Sequence, residues 1–205
     1  MSRVALAVLL GLGLLFLAAA AWASDVELTG AEGHPRERFP LAVWAQSFGD
    51  ATLDGAVRRA IEDWNAVTRE ALGLTAFTLV GARDTAEVTI AAVPKPPSGL
   101  MGVTELSADD SGVITLPVRI MIVEPAARGQ TSRETLLYQV VAHELGHALG
   151  LPHVRDPRSL MCCVKGSVDF NDAATREAYV EARRHPDVRS VRAELTAQYA
   201  RVWRQ

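Results

Sequence analysis

One stretch constrains this chain more than any other: His143-Glu144-Leu145-Gly146-His147-Ala148-Leu149-Gly150-Leu151-Pro152-His153. Histidines four residues apart on a helix share one face, one turn apart, so His143 and His147 can grip the same ion. Glu144 leaves the helix at a different angle and suits a base beside a metal better than a ligand on it. Gly150 can adopt positive φ and turn the chain sharply where the helix stops. Three residues later, His153 can return as a third ligand. Three neutral imidazoles and one open position form the donor set of a catalytic zinc. The fold must therefore end a helix here and bring the following loop back to its last turn.

The flanking sequence agrees. Thr131-x-x-Glu134 reads as a capping box. It opens a helix over 131–150 with Leu136, Leu137, Val140, Val141, Leu145 and Ala148 at helical spacing. The string fixes five positions, and a chance match in a chain of this length is on the order of one in 10^5. Upstream, strands are expected at 41–45, 77–80, 88–93, 100–106 and 118–123, and a helix at 52–72 with Gly73 as its C-cap. Downstream, helices are expected at 171–184 and 188–204. The order is mixed, α+β with an α/β-like run, in one domain spanning 39–205 behind a loose polar lead-in at 24–38. Trp64 falls on the apolar face of the first helix and is expected in the core. His34 and His185 lie in polar loops and are expected at the surface.

The continuation Ser159-Leu160-Met161 completes a resemblance. HExxHxxGxxH followed shortly by a turn methionine resembles the metzincin zinc peptidases, and the version at 143–153 resembles the matrixins most closely. The resemblance implies a twisted, mostly parallel sheet with an antiparallel edge strand, two long helices and C-terminal helices. It implies one catalytic Zn2+ held by His143, His147 and His153, with Glu144 as general base. Gly150 supplies the turn and Met161 lies beneath the imidazoles as a packing base. A peptide or protein substrate would add as a strand along the sheet edge, for which 100–106 is the candidate. The chain departs from the matrixin pattern in three ways. Cys163 stands where a proline usually follows the methionine, no histidine between His34 and His143 can hold a second zinc, and no cysteine in 24–38 can form a cysteine switch. Calcium is possible through Asp109-Asp110-Ser111-Gly112 but not supported, because the same residues make a turn. Asp156 reads as a turn residue, with support of a ligand imidazole as the alternative.

Composition bounds the rest. A net charge of −3, with no Lys/Arg block, argues against nucleic acid as a partner. Residues 1–23 read as a signal peptide, with Arg3, an apolar run and Ala21-Trp22-Ala23 before Ser24. Secreted, periplasmic or extracellular localisation follows, without stable membrane association once the leader is cleaved. An uncleaved anchor is the alternative. The two cysteines, Cys162 and Cys163, are neighbours. Adjacent cysteines rarely pair, so they are expected as small buried apolar residues, or as a redox-sensitive thiol or zinc-quieting ligand. The expected activity is that of a secreted zinc-dependent endopeptidase. The alternative from another class is a catalytically silent zinc-binding recognition domain, which retention of Glu144 disfavours. Oligomeric state is not legible.

Overall fold

The computed structural model describes residues 28–94, 100–127 and 131–204. The expected leader at 1–23 lies outside the described residues, as do the first residues of the lead-in.

Five strands form one mixed sheet: β1 (Leu41–Ala45), β2 (Phe77–Leu79), β3 (Val88–Val93), β4 (Gly102–Glu105) and β5 (Val118–Val123). Their order is β2-β1-β3-β5-β4. All pairings are parallel except β4 with β5, which puts an antiparallel strand at one edge. Along β1 and β5 the buried residues alternate (Leu41 and Val43; Val118, Ile120 and Ile122), so one face of the sheet packs on the core while Arg119 of β5 is exposed on the other.

Four α-helices accompany the sheet: α1 (Ala51–Leu72), α2 (Arg133–Ala148), α3 (Ala173–Arg184) and α4 (Arg192–Val202). Asp50 caps α1 by accepting from the Thr52 and Leu53 amides. Gly73 ends it at φ 70°, in the left-handed region where a glycine carries no Cβ penalty. Trp64 is fully buried, and its indole N–H donates to the Ala142 carbonyl of α2 at 2.8 Å, tying the two long helices together. Among the described residues no helix is long and apolar enough to cross a membrane.

Four expectations need correction. Ser132, not Thr131, caps α2: its side chain accepts from the Thr135 amide, while Glu134 pairs with Arg59 at 2.8 Å. The last helix begins later than expected, at Arg192, after a 3-10 turn over Val188–Val191 capped by Asp187. The lead-in is not loose from residue 30 onward. Gly33 bridges to Val113, Gln198 donates to the Glu32 carbonyl at 2.7 Å, and Arg201 donates to the Gly30 carbonyl at 3.1 Å. His34 is wholly buried rather than exposed, because the end of α2 and α4 close over it. Its Nε2 donates to the Ala148 carbonyl at 2.9 Å, and its own carbonyl accepts from Trp203. His185 does stay exposed.

Candidate metal centre

Helix α2 carries the histidine string on a frame buried nearly all round. Leu137, Val141, Ala142 and Leu145 pack into the core, and Gly146 faces Met161 and Trp64. A Cβ at Gly146 would collide with the Met161 sulfur, so the methionine sits tight under the helix end. Met161 is fully buried. Gly150 follows the C-cap at φ 86°, and a Cβ there would meet the Glu32 carbonyl. That glycine therefore answers both a positive φ and a close backbone approach.

The turn at Gly150 sends the chain back to the helix end. His143 and His153 Nε2 lie 3.0 Å apart, His147 and His143 Nε2 3.1 Å, and His147 and His153 Nε2 3.3 Å. His143 Nδ1 donates to the Leu160 carbonyl and His147 Nδ1 to the Leu151 carbonyl, both at 2.8 Å. A carbonyl only accepts, so each Nδ1 carries the ring proton and each Nε2 presents a lone pair. Lone pairs converging at this distance repel unless a cation lies among them. Corners of a tetrahedron around zinc, with bonds of about 2.0–2.1 Å, sit about 3.3 Å apart. The three nitrogens thus suit one such ion, and these residues are the described cluster able to hold a metal.

Electrostatics agree. Burial first, then the neighbouring His147, His153 and Arg183, hold His143 well below its ordinary value against the Leu160 bond that raises it. Burial and then His153 push His147 down to about 4. Both rings are neutral near pH 7, the form that binds metal.

Glu144 stands beside the trio, buried, with Thr104 of β4 reaching it. Thr104 Oγ1 donates to Glu144 Oε2 at 2.7 Å, and the Glu144 carbonyl lies 3.1 Å away. Gly102 makes room for the carboxylate: a Cβ there would sit 2.6 Å from Oε1. A cleft of about 380 Å³ opens over the cluster. Leu100, Met101 and Gly102 line one wall, and Cys162, Cys163, Tyr179 and Arg183 line another.

The structure brings His143, Glu144, His147, Gly150, His153 and Met161 together. It corrects the cysteines. Cys162 and Cys163 are paired, with Cα atoms 3.0 Å apart across a cis peptide. The expectation of separate thiols rested on the greater Cα separation that disulfides usually have. Asp156 makes a turn, accepting from the Arg158 amide, and Asp109 does the same with the Ser111 and Val113 amides. Thr104, Gly102, Gly146, Arg183 and the carbonyls of Leu151 and Leu160 were missed. An isolated glycine at a strand start, such as Gly102, signals a close approach and was readable. Nothing in the sequence marks Thr104.

A helix carrying two histidines, a glycine turn returning a third and a methionine packed beneath them, all beside a mixed sheet, form an arrangement like the metal centre of a metzincin. Residues 84–174 match the family model of the matrixins. A 37-residue segment is 51% identical to macrophage metalloelastase of Oryctolagus cuniculus, covering 18% of this chain. That match spans 8% of the relative's length. Residues 84–174, a little under half of the chain, are thus similar to the matrixins, and the histidine cluster fits that likeness.

Proposed function

We propose that the chain is an exported zinc endopeptidase in which His143, His147 and His153 hold the metal and Glu144 is the general base. The observation that supports this most is the convergence of three imidazole Nε2 atoms within 3.0–3.3 Å of one another, with a buried carboxylate alongside. When bound, zinc supplies Lewis-acid activation of a water and of the scissile carbonyl.

The protein's own groups do the rest. The Leu151 and Leu160 carbonyls fix the tautomers of His147 and His143, so the donor set is organised before a metal arrives. Glu144 takes a proton from the attacking water and passes it to the leaving amine. Thr104 holds Oε2 of that carboxylate against β4. A substrate peptide lies extended along β4, the strand at the sheet edge, and pairs with its outward backbone groups. Backbone pairing reads peptide shape more than sequence and suits cleavage within a chain.

Metal analysis paired with casein cleavage tests this. Glu144→Ala should keep its zinc and lose turnover by on the order of a thousandfold, while His153→Ala should lose zinc itself. Casein cut at the parental rate by Glu144→Ala, or undiminished by a chelator, ends the assignment. N-terminal sequencing of the exported protein tests release: a start near Ser24 supports it, and a start at Met1 supports a tether.

A further inference from the structure

The second wall of the cleft carries a positive charge that the peptidase chemistry does not use. Arg183 comes from the last turn of α3, beyond the segment that matches the matrixin family. Its guanidinium is fixed in place. Nη2 donates to the Cys162 carbonyl at 3.1 Å, Nη1 reaches the Ser159 carbonyl at 3.5 Å, and the group lies 4.6 Å from the centroid of the Tyr179 ring.

All of these partners are uncharged. Among the described residues, none of the ion pairs includes Arg183. A guanidinium offers five N–H donors in a planar fork, and two carbonyls leave several unspent. A half-buried cation without a counter-charge is costly to leave unpaired. A carboxylate matches the fork in geometry and in charge. The other groups on this wall, the two cysteines and Tyr179, bring no negative charge to compete for it.

We propose that Arg183 makes the cleft select substrates that present a carboxylate, a specificity that rests on the peptidase reading above. An aspartate or glutamate side chain and a free chain terminus share this chemistry. The first describes a cut near an acidic residue, the second a cut near the end of a peptide.

Quenched fluorescent peptides test it, identical except for one Glu or Gln walked through the positions flanking the scissile bond, each made as free acid and as amide. The zinc-loaded full chain gives the kcat/KM ratio of each Glu/Gln pair. The Glu144→Ala protein gives the corresponding ratio of Kd by fluorescence anisotropy. A preference of roughly ten- to a hundredfold for Glu at one position is expected, the scale of a charge-assisted bond. Arg183→Gln should bring that ratio to parity, and Arg183→Glu should favour Lys at the same position. A preference confined to free acids over amides assigns the carboxylate to the chain terminus. Equal values for every pair, in both assays, overturn the proposal, and that comparison needs no Arg183 variant to fold. Selective binding by Glu144→Ala with no cleavage by the parent would fell the peptidase reading and leave the subsite standing. Cleavage without preference would do the reverse.

Discussion

Helices α2 and α3 line the same cleft on opposite terms. Of the sixteen residues of α2, nine are buried, among them Glu144 and His147. None of the twelve residues of α3 is buried. Nine core-packed residues position α2, so the side chains that it turns toward the cleft inherit the rigidity of the fold. A few point contacts place α3: the Asp172 cap on the Thr175 amide, Arg176 on the Phe170 carbonyl, Phe170 edge-on to Tyr179, and Arg183 on the carbonyls of the methionine turn. On the readings proposed above, the groups assigned to chemistry sit on α2 and the group assigned to selection sits on α3. A change on α3 can alter what enters the cleft without disturbing the packing that holds the metal ligands.

The largest expected effect breaks the α2 side. Leu145 is fully buried, next to Glu144 and two residues before His147. Leu145→Ala should cost about 2–5 kcal/mol, the transfer loss plus the cavity left under a helix that cannot relax inward. Urea unfolding of the zinc-loaded protein measures it, and a loss under about 1 kcal/mol would remove the contrast drawn between the helices.

Acid should act next, again on the α2 side. Burial, with the Arg38 charge alongside, pushes His34 down to about 4, although its bond to the Ala148 carbonyl opposes this. The folded protein keeps the ring neutral, whereas the unfolded chain takes up a proton near 6.5. Stability from this group is therefore complete above about 6.5 and declines as the pH falls from there to about 4. The decline amounts to roughly 3–4 kcal/mol. His34→Gln retains a donor for Ala148 and should flatten that limb in denaturation midpoints taken across the pH range. Identical slopes for parent and variant would show that another group sets the acid limit.

The two helices were also unequally legible in the sequence. Helix-period spacing and an uncommon string announced α2, and the turn at Gly150 followed from one residue's freedom. The sheet strands read well because each is a short segment rich in β-branched and apolar residues. The burial of His34 was not legible, since it depends on α4 folding back over the lead-in from more than 160 residues away. Local polarity pointed to the surface, and tertiary packing overrode it. The second wall was opaque for the same reason. Nothing local in Ala173–Arg184 shows that its last turn meets the carbonyls of Ser159 and Cys162.

Thr104 sharpens the comparison from the sheet side. It is buried and bonded to Glu144 through its hydroxyl alone. Thr104→Val keeps the shape and removes the donor. The expected loss is about 1–2 kcal/mol of transition-state stabilisation, roughly five- to thirtyfold in kcat with KM little changed. Thr104→Ser should restore most of it. A loss confined to KM, or no recovery in Ser, would mean that Thr104 serves packing instead of orienting the carboxylate.

Val180 marks the other extreme. It lies on α3 with 37% of its surface exposed, beside the Tyr179 that lines the cleft. Alanine has the higher helix propensity, which offsets the little apolar area lost. Val180→Ala should therefore change stability by less than about 0.5 kcal/mol. The neighbouring Arg183 keeps its anchors on the methionine turn, so the Glu/Gln preference should be unmoved while Leu145→Ala unfolds the protein far earlier in urea. A Val180→Ala loss comparable to that of Leu145→Ala would show that α3 is welded to the core after all, and that the wall carrying Arg183 is no more adjustable than the helix carrying the histidines.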